Sequence, residues 1–107
     1  MTASEDLLFE TETPLGFRVR VTRVRWELIV NEKHPAMRGR ESDIRVALES
    51  PDEVRQSQSD STVFMFYKTE RAKRWVCAVA KRADDYGFLI TAYPTDAIKE
   101  GVTVWPR

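Results

Sequence analysis

Hydrophobic and polar positions change period twice along this chain. Phe17-Arg18-Val19-Arg20-Val21-Thr22 alternates strictly, with Phe17, Val19 and Val21 on one side and Arg18, Arg20 and Thr22 on the other. That pattern predicts a half-buried strand with an arginine-bearing outer face. Val24, Leu28 and Ile29 then recur at helical spacing behind Thr22, a residue type able to cap a helix start. This helix should stop near Lys33, because the residue ahead of Pro35 is pushed out of the α region, and that residue is His34. Gly39 marks a loop, and ESDIRVALE predicts a second amphipathic helix with Ile44, Ala47 and Leu48 inward, broken by Ser50-Pro51-Asp52.

From there the period returns to two. Val54–Ser57 reads as a short strand, followed by three clear ones at Thr62–Lys68, Arg74–Lys81 and Gly87–Tyr93. The loop Thr69–Lys73 and the turn Asp84–Gly87 are short enough for antiparallel hairpins. Pro94–Lys99 reads as a short helical turn that leads through Gly101 to a last strand, VTVW. The expectation is an α+β fold: two N-terminal helices packed on a twisted, mainly antiparallel sheet of about four to five strands. Residues 1–16, acidic and closing on Pro14 and Gly16, read as a flexible lead-in with a short edge strand at Leu7–Phe9; residues 17–107 read as one domain.

Composition narrows the chemistry. The 107 residues are 42% hydrophobic and 32% charged, ordinary for a globular chain that needs neither metal nor disulfide for stability. The N-terminus lacks the order of a secretion signal, and no apolar run approaches the roughly 20 residues of a membrane span. Cys77 is the only cysteine, so no intramolecular disulfide forms, which fits a reducing cytoplasm. One histidine and one cysteine, far apart, do not supply a metal site, and no glycine-rich phosphate loop or second histidine is present. Acid–base or electrostatic catalysis without a cofactor remains, or no catalysis.

The charge is zero overall but uneven. Residues 1–12 carry four acids and no base; residues 13–40 carry seven bases against Glu27 and Glu32; residues 41–61 carry six acids against two bases; residues 62–93 carry six bases against three acids. If the two basic blocks adjoin, a neutral protein presents one positive face. RNA cleavage suits such a face, because the 2′-hydroxyl is a nucleophile already held beside its phosphate. The protein then needs proton transfer and cationic stabilisation of the phosphorane. His34 near Arg38 and Arg40, Lys68 at a strand end, and Thr91 and Tyr93 on one strand face are the candidates. Each also has a plain structural reading: His34 as a helix end, Thr91, Tyr67 and Tyr93 as sheet residues, the three tryptophans as packing.

The order of motifs carries a resemblance. RWELIVNEKHPAMRGRESDIRVALESPDEVRQS, then FMFYK, VCAVAK and GFLITAYPTDAIKEGVTVW, is similar to phage- and prophage-associated domains of the Barnase–EndoU–colicin–RelE superfamily of metal-independent ribonucleases, over roughly Phe17 to Trp105. The resemblance implies two N-terminal helices followed by a four-stranded antiparallel sheet. It also implies a cytoplasmic toxin or phage-associated RNA endonuclease without cofactor, with RNA as substrate and a protein such as an antitoxin as partner. His34 matches the family's His-Pro element, Thr91 and Tyr93 its Thr-Ala-Tyr element, and Lys68 the polar end of its tyrosine-rich strand. These four are the implied catalytic residues, with Arg25, Arg38, Arg40 and Tyr67 binding substrate. Arg25 is a departure: relatives often carry histidine there, and arginine is a poor proton donor at neutral pH. A non-catalytic RNA- or protein-binding module on the same scaffold is the alternative.

Overall fold

The computed structural model describes residues 6–98 and 100–107. Seven strands form one sheet: β1 (Leu7–Glu12), β2 (Arg18–Thr22), β3 (Glu53–Gln56), β4 (Val63–Arg71), β5 (Arg74–Ala83), β6 (Tyr86–Thr95) and β7 (Val102–Trp105), in the order β1-β2-β6-β5-β4-β3-β7. Between β2 and β3 lie α1 (Arg23–Leu28), a π-helical turn at Ile29–Lys33, a 3-10 turn at Pro35–Met37, and α2 (Glu41–Glu49). Every neighbouring pair of strands is antiparallel except β2 and β6, which run parallel. No helix among the described residues is long and apolar enough to cross a membrane.

This corrects the expected architecture. The sheet has seven strands rather than four to five, and the two short helices are not N-terminal, since β1 and β2 precede them. LLFETE does not alternate, so its own pattern conceals a full strand; cross-strand partners hold it. Glu10 faces Arg20 and Glu12 faces Arg18 in register, with ion pairs of 3.0 and 3.1 Å. Such opposed pairs are worth roughly 0.2–1 kcal/mol each. Thr11 also donates to a Glu49 carboxylate at 2.5 Å, tying β1 to α2. At the other end of the chain, β6 runs on to Thr95 and no helical turn follows at residues 96–98; Lys99 lies outside the described residues.

The local helix signals are visible in the geometry. Thr22 Oγ1 accepts from the Arg25 amide at 3.1 Å and caps α1. His34 leaves the helical region at φ −140°, ψ 76°, as a residue before proline must, and its amide donates to the Ile29 carbonyl five residues back at 2.7 Å. In α2, Ile44, Ala47 and Leu48 are all fully buried.

The helical layer covers one face of the sheet. Trp26, Ile29, Met37, Ile44 and Leu48 pack there on Val19, Val21, Val54, Phe66, Ala78 and Leu89. A smaller cluster of Met65, Tyr67 and Cys77, flanked by Trp75, Val79, Tyr93 and Ile98, occupies the opposite, open face. Gly87 belongs to the covered face: a β-carbon there would stand 2.9 Å from the Phe17 ring and 2.9 Å from the Lys81 carbonyl, so only glycine lets β6 lie this close.

One irregularity decides what β6 shows to the open face. Leu89 pairs with Ala80 and Thr91 with Val79, which leaves Ile90 as the extra residue of a β-bulge. Strict alternation would put Gly87, Leu89, Thr91 and Tyr93 on one face. The bulge instead keeps Gly87, Leu89 and Ala92 in the covered core and turns Tyr86, Phe88, Thr91 and Tyr93 to the other side. Because β2 pairs with β6 only as far as Phe88, the edge of β6 beyond that point has no strand neighbour on this side among the described residues. α1 and the Pro35–Met37 turn flank it instead.

Candidate active site

At this unpaired edge the helical segment meets the open face. The His34 ring lies 5.4 Å from the Tyr93 ring, tilted by 43°, and both side chains are half-buried. His34 lies in the chain between the π-helical turn and Pro35, and the bulge sets Tyr93 on the open face of β6. Thr91 stands two residues before Tyr93 on the same face, and its Oγ1 is buried without a hydrogen-bond partner. A depression of about 230 Å³ opens beside Tyr93, lined also by Tyr67, Thr95, Asp96 and Glu100.

Beneath Tyr93, Tyr67 and Cys77 complete a row across three strands, since Cys77 pairs with both tyrosines in register. Burial, and then the neighbouring thiol, raise the phenols of Tyr67 and Tyr93 above their ordinary range, and burial pushes the Cys77 thiol up to about 12. Near neutral pH all three are therefore protonated, so the phenols serve as hydrogen-bond donors and not as bases. Cys77, fully buried and un-ionised, is core filler rather than a nucleophile. Tyr67 is only 3% exposed; it supports Tyr93 from below and has little surface to offer a substrate.

The cations proposed from the sequence do not gather here. Lys68 points to the other face of β4, where its ammonium donates to the Ser50 carbonyl at 2.9 Å and lies 3.6 Å from Asp52. Arg40 shares that hollow with Lys68 and is committed to Asp43 at 2.8 Å and to Glu70. Arg38 lies back on the helical segment, donating to the Asn31 side chain at 2.7 Å and to the Val30 carbonyl at 3.3 Å. Arg25 lines a separate hollow of about 300 Å³ with Arg20, Val24, Leu28 and Phe88, at the opposite end of β6 from Tyr93. The structure thus brings together His34, Thr91 and Tyr93, with Tyr67 beneath, and disperses Lys68, Arg25, Arg38 and Arg40.

The basic block of residues 13–40 is also largely neutralised within the protein: Arg18 and Arg20 by Glu10 and Glu12, Arg23 by Asp6, Arg40 by Asp43 and Glu70. The sequence reading overlooked Asp96, in the Pro94–Lys99 segment read as a helical turn, and Glu100 just after it. The chain's return beside Tyr93 makes them the carboxylates nearest this depression. It also overlooked Phe88, which a parallel pairing with β2 sets beside Arg20. Among the described residues no three His, Cys, Asp or Glu side chains group to hold a metal ion. Comparison with protein-family models, with curated proteins and with solved structures finds no match.

Proposed function

We propose that this chain is a metal-independent RNA endonuclease of the 2′-hydroxyl-attack type, acting on the open face around His34 and Tyr93. The carrying observation is the contact of the sole imidazole with Tyr93 at the half-exposed edge of β6 beyond its pairing with β2.

In this reading a base removes the 2′-hydroxyl proton, the 2′ oxygen bonds to phosphorus, the bond from phosphorus to the 5′ oxygen breaks, and an acid protonates that leaving oxygen. His34, the sole imidazole, is the side chain placed to give or take a proton beside Tyr93. Asp96 or Glu100, lining the Tyr93 depression, is the complementary carboxylate. Tyr93, held protonated, donates a hydrogen bond to a phosphoryl oxygen. Lys68 and Arg40 take no part, since each is engaged on the other face.

The test is cleavage of a 5′-labelled RNA in EDTA by the full chain. The expected products end in a cyclic phosphate, a 2′-O-methyl substrate stays intact, and His34→Ala loses at least about a hundredfold, the usual worth of a general acid or base. Cleavage that survives in His34→Ala, or that also cuts the 2′-O-methyl strand, rejects the mechanism. A second reading, recognition of RNA without cleavage, follows if the phosphorane lacks a cation to stabilise it: among the described residues none lines the Tyr93 depression. Salt-sensitive binding of uncut RNA selects it.

A further inference from the structure

We infer that the hollow between β2, α1 and the first half of β6 is a single-stranded nucleotide subsite, where Phe88 stacks a base and Arg25 takes the adjoining phosphate. The inference rests on the RNA reading of the same face and extends it to the residues that grip the strand away from His34. Phe88 and Tyr86 are exposed at 38% and 37%, on a strand whose covered-face residues Gly87 and Leu89 are buried. Parallel register sets Arg18 beside Tyr86 and Arg20 beside Phe88, so guanidinium groups and rings are interleaved. The Arg20 guanidinium already lies 4.6 Å over the Tyr86 ring, and its Nε is held by Glu10 at 3.0 Å. That leaves two groups of this hollow free: the Phe88 ring, which has no aromatic or cationic partner among the described residues, and Arg25, which meets no carboxylate among them.

One uncovered ring beside one unengaged guanidinium suits a base and its phosphate. The hollow, about 300 Å³ and rimmed by Val24 at 73% exposure, sits at the small end of ligand sites, closer to one nucleotide than to a folded partner. Phe88 and Tyr93 are on the same face of β6, separated by about 16 Å at a rise of ~3.3 Å per residue, so an extended strand lying along β6 passes both. The subsite also gives Arg25 a task that needs no proton transfer, which suits a side chain that stays charged.

The experiment is fluorescence anisotropy of a short labelled oligouridylate on the His34→Ala chain, so that cleavage does not intrude, with melting temperatures matched between variants. Phe88→Ala should weaken binding about tenfold, and Phe88→Trp should restore it. Arg25→Gln should weaken it and reduce the slope of log affinity on log salt by about 0.7, the share of one phosphate on a single strand. Affinity indifferent to both Phe88→Ala and Arg25→Gln overturns the subsite. An oligodeoxyuridylate bound equally well supports it as a reader of base and phosphate, whereas loss of binding on removing the 2′-hydroxyl overturns it as stated. The two readings separate cleanly: absent cleavage with Phe88-dependent binding removes the nuclease and keeps the subsite, and intact cleavage with Phe88-independent binding does the reverse.

Discussion

Tyr67 and Lys68 are neighbours in sequence, and their side chains face opposite sides of one sheet. On Lys68's side the cations Lys68 and Arg40 both have partners within the protein: the ammonium on Ser50 and Asp52, the guanidinium between Asp43 and Glu70, at the rim of the core covered by α2. On Tyr67's side the two tyrosines flank a thiol in register, and His34 leans on Tyr93. The covered face spends its charges on holding the fold. The open face sets an imidazole against a half-exposed phenol, side chains that lie within a substrate's reach. Counting bases along the chain favours the first side; hydrogen-bond partners favour the second.

The sharpest way to break this comparison is to weigh the two faces by stability. Leu48→Ala, beneath α2 on the covered face, should cost about 2–5 kcal/mol in urea unfolding, while Tyr93→Phe on the open face should stay within about 1 kcal/mol. Equal losses would mean that the open face is structural after all. The junction comes next: Thr22→Ala removes the cap of α1 and should lower stability by about 1 kcal/mol, read from the same unfolding curves. Smaller still is the charged rim. Arg40→Ala, whose pair with Glu70 is partly screened by solvent, should cost no more than about 1 kcal/mol. Lys68→Met should leave RNA cleavage within about twofold of the parent, since a change that moves no group in the transition state leaves the barrier unaltered. A large drop for Lys68→Met would return Lys68 to the site.

The smallest expected effect lies at low pH. Hydrogen bonds from Thr62, and then the Lys81 contact, hold the Asp60 carboxyl at about 2, below its ordinary value. A group depressed on folding stabilises the protein above its unfolded pKa, and that contribution is lost as pH falls through the folded value. The melting temperature should therefore fall between about pH 4 and pH 2, and Asp60→Asn should fall less steeply across that window. Identical slopes would mean that Asp60 is solvated like an unfolded aspartate.

Much of the helical layer was legible because its signals are local. ESDIRVALE carries its burial pattern within nine residues, Thr22 caps the helix beside it, and Pro35 dictates where His34 leaves the helix. β1 was legible only as a short edge strand at Leu7–Phe9, because its continuation to Glu12 is held by arginines of another strand. The parallel contact of β2 with β6 was hidden for the same reason. Thr91 and Tyr93 could be placed on one face from their spacing, but not opposite Leu89, since that depends on the extra residue at Ile90. Cation placement failed most, because ion pairs form between blocks that composition treats as separate: Glu10 and Glu12 from the acidic lead-in neutralise Arg18 and Arg20.

The parallel seam of β2 with β6 has a consequence in time. It joins segments from opposite parts of the chain, so closing it costs more chain entropy than forming the hairpins β4–β5 and β5–β6. Before closure, the piece bearing His34 and the piece bearing Tyr93 have no fixed distance between them. A ribosome-bound chain would hold the imidazole early and acquire its counterpart only after β6 has emerged.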